Sequence, residues 1–258
     1  MIKTKAIANR TAELQLFSDI VCGNHSAKIL LIQADSGMGK SDLLKKFQDS
    51  CPSEALVVPL DLKGADLGIP YFFNWVCEDL GYDRFQQFTA ELRQMVSGAI
   101  NFANNQMEGQ QTIQIALNVD ENTRRYRLGA LQRAFFQDLA AIQQRVVILL
   151  DTFQLAVSDL QNWIESELLR MVPRLPNLVV VVAGQTVPDC NNIGWGSACE
   201  SCYLEAIEQV EAWYQLAQVE HLPFDRDVIK AIVRLNKGNP LEIRKALKSL
   251  ERGWSNDQ

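Results

Sequence analysis

Apolar residues along the chain fall into two patterns: short unbroken runs, and longer stretches where they recur every third or fourth position. The runs Lys28–Gln33, Ala55–Asp61, Val146–Leu150 and Leu178–Ala183 read as strands. Between them, Arg10–Val21 carries Leu14, Leu16, Phe17 and Ile20 on one helical stripe. Tyr71–Leu80, Phe85–Ser97, Asn122–Gln144 and Asp159–Met171 also have helical spacing, the third through Leu128, Leu131, Phe135, Leu139 and Ile142. Uniformly apolar strands separated by helices predict an α/β fold with a parallel sheet covered on both faces. Pro59 lacks the N–H that a central strand needs, so it predicts an edge or a strand end. Thr112–Val119 alternates as Ile113, Ile115, Leu117 and Val119, which predicts a strand or hairpin, and Cys199–Leu204 reads as a short strand. Beyond Glu205 the helical patterns Ala206–Gln218, Asp225–Leu235 and Leu241–Arg252 follow one another with no strand among them. The expected organisation is an α/β domain over 1–205 and a small helical subdomain over 206–258.

Candidate chemistry sits at the ends of these elements. The first strand opens into Ala34, Asp35, Ser36, Gly37, Met38, Gly39, Lys40 and Ser41. The backbone N–H groups of such a turn cradle phosphate oxygens, its lysine reaches the β- and γ-phosphates, and its serine hydroxyl ligates magnesium. The helix that follows, from about Ser41 to Gln48, adds the positive end of its dipole. Ala34 stands where the pattern has its first glycine, and Gly37 supplies flexibility inside the loop. In isolation the same residues could form a plain surface turn. Val146–Leu150 delivers one carboxylate, Asp151, to a strand tip, where open α/β sheets bind ligands. In phosphate-loop enzymes such an aspartate holds magnesium, whereas alone it could simply end a buried strand. Leu178–Ala183 ends in Gly184 and Gln185, placing Gln185 or Thr186 to reach a γ-phosphate. Lys237, Gly238, Asn239 and Pro240 end one helix and start another, a turn that local sequence alone does not distinguish from a ligand-contacting one.

Composition narrows the picture modestly. The 258 residues suffice for one sizeable α/β core with a small second unit, and the apolar share of 47% is ordinary for a globular protein. A net charge of −6 argues against generalised nucleic-acid binding, with Arg124, Arg125 and Arg127 the best local exception and a solvated helix start the plainer reading. The N-terminal Met1–Lys5 leads into polar sequence without a signal-peptide core, and no apolar run is long enough to span a bilayer. Cytoplasmic location is expected. Six cysteines do not make a disulfide framework. Cys199 and Cys202 form one CxxC, near Cys190 and His221, where zinc would need a second pair. Reduced structural thiols are expected, with metal or redox chemistry as the alternative.

Taken in order, these motifs resemble the STAND ATPases, signal-transduction relatives of AAA+ proteins. Asn9-Arg10-Thr11-Ala12-Glu13-Leu14 is similar to that family's Arg-x-x-Glu-Leu entry segment. The phosphate loop, Asp151-Thr152-Phe153-Gln154, Ala183-Gly184-Gln185 and Gly238-Asn239-Pro240-Leu241 follow in the family's order. The resemblance covers about Ile7 to Leu250. It implies a three-layer P-loop NTPase of the ASCE type, with an additional strand between the phosphate-loop strand and the Asp151 strand, then a helical lid. It implies ATP or ADP with Mg2+, contacts to nucleotide from Arg10 and the phosphate loop, and lid contacts to the adenine side from Gly238 and Pro240. It also implies nucleotide-controlled assembly, so a protein effector and self-association are the expected partners.

Departures from that pattern concern hydrolysis. Relatives often carry an acidic residue directly after the Asp151 position or at the fourth place of Asp-Thr-Phe-Glu, where this chain has Thr152 and Gln154. Glutamine orients water by hydrogen bonding but does not accept its proton as a carboxylate does. Gln185 replaces a frequent arginine. Binding is therefore expected to be kept and hydrolysis to be slow or lost, with Thr152, Gln154 and Gln185 the candidate residues around the γ-phosphate. Family members continue into further domains, so Trp213, Leu247 and Trp254 are candidates for a docking surface, with internal packing the plainer reading. The competing readings are an AAA+ ATPase acting on nucleic acid, with Arg170 or Arg174 among possible trans donors, and a nucleotide-free scaffold. No Asn-Lys-x-Asp segment is present, Asn236–Asn239 coming nearest, so adenine is favoured over guanine.

Overall fold

The structure, a computed structural model, describes residues 6–64, 68–97 and 109–255, with the side chains of 64 and 253–255 outside that description. Five parallel strands form one sheet: β1 (Ile29–Gln33), β2 (Leu56–Asp61), β3 (Val146–Asp151), β4 (Leu178–Gly184) and β5 (Cys199–Tyr203), in the order β2-β3-β4-β1-β5. β4 lies between β1 and β3, the additional strand of the ASCE arrangement. Pro59 falls on β2, which among the described residues pairs with β3 alone and so forms an edge of the sheet.

The central strands are apolar at nearly every position because both faces are covered. Alternate residues explain how. Leu30, Ile32, Val147, Leu149, Val179 and Val181 pack with Phe17, Leu43 and Phe47 of α1 (Thr11–Cys22) and α2 (Lys40–Ser50). The opposite alternates, Ile148, Leu150, Val180 and Val182, pack under α3 (Ile69–Leu80), α4 (Gln86–Val96), α5 (Gln110–Leu117) and α6 (Glu121–Ala141). Phe72, Phe73, Phe88, Phe135 and Trp163 interlock there, with ring centroids 4.9–6.3 Å apart across the set. Trp163 ends α7 (Ser158–Trp163), which passes through a π-helical turn (Ile164–Leu168) into the short α8 (Leu169–Met171).

A buried carboxylate serves this core. Asp138 of α6 accepts the N–H groups of Gln87 (3.2 Å) and Phe88 (2.8 Å), supplying partners to the first turn of α4. Helices α9 (Val210–Val219), α10 (Arg226–Leu235) and α11 (Pro240–Ser255) gather around Trp213, Ile229, Ile243 and Leu247, joined by Ala8 and Ile207. Trp213 and Leu247 are thus buried, not docking surface, and Trp254 lies outside the described side chains.

Two sequence expectations fail. Residues 112–117 belong to the helix α5, not to a strand. Thr112, Ile113, Ala116 and Leu117 make the buried face while Ile115 is exposed, so the three-to-four spacing through Ala116 governs, and the alternation of isoleucines is incidental. Cys190 and Cys199 form a disulfide with Cα atoms 5.8 Å apart, which corrects the expectation of reduced thiols for that pair. The chain after β4 turns back through residues 192–198 and brings Cys190 against the start of β5. Cys199 and Cys202, three apart on a strand, project to opposite faces, so the CxxC never becomes a ligand or redox pair. Burial raises the Cys202 thiol pKa, with Glu13 and Glu200 adding to it. Cys22, Cys51, Cys77 and Cys202 remain free. The three arginines at the start of α6 are spent locally: Arg125 pairs with Glu121 at 3.0 Å, Arg124 with the same residue at 3.8 Å, and Arg127 donates to the Ala116 carbonyl near the end of α5. Among the described residues, no helix is long and apolar enough to cross a membrane.

Candidate functional site

β1 ends against β4, with Ala34 N–H donating to the Gly184 carbonyl, and the chain then turns through the phosphate loop into α2. Gly37 and Gly39 take φ of 83° and 86°, a left-handed geometry that costs other residues roughly 1–2 kcal/mol. Ala34 is buried beneath the turn, and the two strained positions are both glycine, so the missing first glycine does not block the loop. Lys40 folds over it, its Nζ donating to the carbonyls of Ala34 (2.7 Å) and Asp35 (2.9 Å). Burial lowers the Lys40 pKa, while Asp151 and Asp35 pull it upward.

The loop opens onto a cavity of about 850 Å³ at the C-terminal edge of the sheet. Ser36, Gly37, Gly39, Lys40 and Ser41 meet Asp151, Thr152, Gln154 and Gln185 on its wall, so residues from three strand tips converge there. Among the described residues, Lys40, Lys45, Lys63, Arg244, Lys245 and Lys248 line it against Asp42, Asp61 and Asp151, an excess of cations that suits a polyanion. Part of that excess is internally matched: Arg244 contacts Glu220 at 3.1 Å and Lys245 contacts Glu242 at 2.8 Å.

At the β3 tip, Thr152 takes φ 61° and ψ 39°, a strained setting for a β-branched residue, and its N–H donates to Asp151 Oδ1 at 2.8 Å. Gln154 Oε1 accepts the Gln185 N–H at 2.9 Å, tying the β3 and β4 tips together. Gly184 suits that contact, since a Cβ there would come within 2.9 Å of Gln154 Oε1. Thr186 is not among the lining residues.

Two further contacts tie the loop to the C-terminal helices. Arg10, itself in the left-handed region at φ 104°, donates from Nη2 to the Met38 carbonyl (3.2 Å) and the Glu205 carbonyl (2.8 Å). It lines a much smaller cavity of about 20 Å³ with Ala8, Met38, Ile207, Trp213 and Pro240. Gly238 takes φ 70° and accepts the Ile207 N–H, so the turn before α11 lies against the chain leaving β5. Three residues on, Leu241 N–H donates to the Gly37 carbonyl at 3.1 Å, a direct hydrogen bond from α11 to the phosphate loop. Asn239 caps α11 by accepting from the Leu241 and Glu242 N–H groups.

The structure therefore brings Ser36, Gly37, Gly39, Lys40, Ser41, Asp151, Thr152, Gln154, Gln185 and Pro240 together around one cavity. Arg10 and Met38 stand behind it, Asp35 meets Tyr203 at 3.4 Å on the β5 side, and Gly238 shapes the turn without lining the cavity. Sequence reasoning missed Asp61, Lys63, Trp75, Lys245 and Lys248. Asp61 carried a usable signal, because it ends a parallel strand as Asp151 does.

A family profile described as the AAA ATPase domain matches residues 7–181. Comparison with curated proteins gives no match. Among solved structures, the chain is similar to a Signal Transduction ATPase with Numerous Domains (STAND) protein with a tetratricopeptide repeat sensor from Pyrococcus horikoshii. That likeness has TM-score 0.55 and 18% identity, covering 93% of this chain and 29% of that one. It is similar to a Walker-type ATPase of Pyrococcus abyssi, with TM-score 0.54 and 16% identity, covering 97% and 70%. It is similar also to Cdc6p from Pyrobaculum aerophilum, with TM-score 0.57 and 15% identity, covering 96% and 62%. The chain thus spans less than a third of the STAND protein and under two thirds of Cdc6p.

Proposed function

Because the chain belongs to the AAA ATPase domain family, we propose that it is an ATP-binding module acting as a nucleotide-dependent switch, with hydrolysis slow at best. The observation that carries this reading is the hydrogen bond from Leu241 of α11 to the Gly37 carbonyl inside the phosphate loop. Lys40 is bonded to two loop carbonyls, and a triphosphate would draw its ammonium away from them. A loop that rearranges around phosphate then changes the footing of α11 directly. Residues 206–258 act in this reading as a lid on the domain formed by 1–205.

Roles follow from position. The backbone of Asp35 to Gly39 and the Lys40 ammonium hold the phosphates, while Arg10 braces Met38 and the start of the lid. Ala8, Ile207 and Pro240, beside Gly238, flank the small cavity on the adenine side, which opens as the base enters. Ser41 and Asp151 offer the hydroxyl and carboxylate oxygens that suit magnesium, a hard cation bound through few protein ligands. Magnesium there would neutralise phosphate charge. Thr152 and Gln154 supply no carboxylate beside Asp151, and Gln154 spends its oxygen on Gln185. Orientation of the β4 tip, with Gln185 facing the γ-phosphate, is their proposed part. The switch signals to a protein effector and through self-association, in the cytoplasm.

Nucleotide released from the freshly purified, denatured protein and identified by chromatography tests the reading, together with turnover. Stoichiometric ADP or ATP, lost in Lys40→Ala, is expected. Turnover well above about one per second, where typical enzymes begin, would contradict a switch. Failure of the chain to bind any nucleotide would leave only a scaffold.

A further inference from the structure

The nucleotide site lacks a carboxylate at Thr152 and at Gln154, yet the neighbouring strand supplies one. β2 and β3 run parallel and pair residue for residue from Leu56 opposite Val146 to Asp61 opposite Asp151. Both strands therefore end at the same level, and both end in aspartate. The core shows which way these residues face. Val58 and Leu60 share the large cluster with Ile148 and Leu150, whereas Val57 joins Val147 and Leu149 on the side of α1 and α2. Side chains alternate along a strand, so Asp61 is in phase with Val57, and Asp151 with Leu149. Both carboxylates thus emerge on the side of α2, which carries Lys40 and Ser41, and both line the cavity. Adjacent strands lie about 4.8 Å apart, which sets Asp61 one strand spacing beyond Asp151.

Other carboxylates near the loop are placed differently. Asp42 lies in the first turn of α2 and also borders the small cavity beside Ala8 and Ile207. Asp35 points to Tyr203. Asp61 is exposed to the cavity, and the Lys63 N–H donates to its Oδ1 at 3.0 Å, a short turn that fixes the side chain. Its charge also reaches Tyr71 of α3 outside the cavity, where burial and then Asp61 raise the phenol pKa.

We propose that Asp61 is the residue that orients and deprotonates the water attacking ATP, leaving Asp151 to the metal. The assignment rests on the nucleotide-binding reading above. The water oxygen forms a bond to the γ-phosphorus as the bond from that phosphorus to the β,γ-bridging oxygen breaks. The bond's electron pair leaves with ADP. The water's proton passes to Asp61 and on to solvent, so that ATP and water give ADP, phosphate and a proton. Residual turnover is therefore carried by a strand that the family's usual position for the acid does not include.

The test measures phosphate release and ATP binding by the full chain with magnesium for wild type, Asp61→Asn, Asp61→Glu and Lys40→Ala. Wild type is expected to turn over slowly but above Lys40→Ala. Asp61→Asn should lower kcat by about 100-fold or more, the usual range for a lost general base, with ATP affinity unchanged. Asp61→Glu should restore part of the rate, which a purely structural defect would not allow. Equal turnover in Asp61→Asn and wild type overturns the assignment. So does loss of ATP binding in Asp61→Asn alone, or wild-type turnover no higher than that of Lys40→Ala. Absence of ATP binding by wild type would instead refute the nucleotide reading itself, and the assignment with it.

Discussion

Replacing Gly238 by alanine tests whether the turn before α11 is held rigidly against the chain leaving β5. Gly238 sits at φ 70°, and a Cβ there would lie 3.0 Å from Ile207 C and 3.1 Å from Glu208 N, both backbone atoms. The left-handed conformation alone costs alanine roughly 1–2 kcal/mol. Backbone atoms so close do not rotate aside as a side-chain end would. Relief requires the turn to lift, which sacrifices the hydrogen bond from Ile207 N–H to the Gly238 carbonyl, worth about 1 kcal/mol. The total comes to roughly 2–3 kcal/mol. Gly23 provides the control: its φ is 79°, but the nearest atom to an added Cβ is a flexible Arg145 nitrogen at 3.5 Å. Gly23→Ala should therefore show the conformational cost alone, roughly 1–2 kcal/mol. Urea unfolding of both variants, followed by tryptophan fluorescence, compares them directly, since Trp213 donates to the same Ile207 carbonyl region. ATP affinity of Gly238→Ala should fall as well, because the lifted turn carries Leu241 away from Gly37. Equal destabilisation by the two alanines, with ATP affinity intact, would refute the argument.

Other consequences can be measured independently. Lys40→Ala should abolish the thermal stabilisation that ATP gives wild type, about 2.7 kcal/mol at 100 times Kd; an undiminished melting shift would contradict the site. Asp138→Ala leaves the Gln87 and Phe88 N–H groups without their acceptor and should cost about 1–3 kcal/mol in urea unfolding, and no loss of stability would show that α4 needs no partner there. Thiol titration of the denatured, unreduced protein should find the four free cysteines, rising to all six after reduction; six at the outset would show that Cys190 and Cys199 are not joined.

Much of the architecture was legible because burial on both sheet faces leaves a plain imprint: Val146–Leu150 and Leu178–Ala183 admit little but buried strands, and Pro59 marked the edge. The phosphate loop and Asp151 could be read because their chemistry is local, set by a strand and the turn after it. What escaped was set by contacts distant in sequence. Ile113, Ile115 and Leu117 obey two periods at once over a short window, and only packing against α3 and α4 selects the helix. The disulfide depends on how residues 192–198 fold back, which no spacing rule encodes. Asp61 was visible as a strand ending, but its value comes from register with Asp151, ninety residues later in the chain (151 against 61). Lys245 and Lys248 enter the cavity only because α11 docks on the loop through Leu241.

Hydrogen exchange across residues 235–247, with and without magnesium and ATP, tests most directly whether the C-terminal helices read the nucleotide. ATP binding should be measured on the same sample. Exchange of the Leu241 amide, which donates to Gly37, should change on binding in wild type and stay constant in Lys40→Ala. Tight ATP binding with exchange unchanged across this segment would contradict the switch.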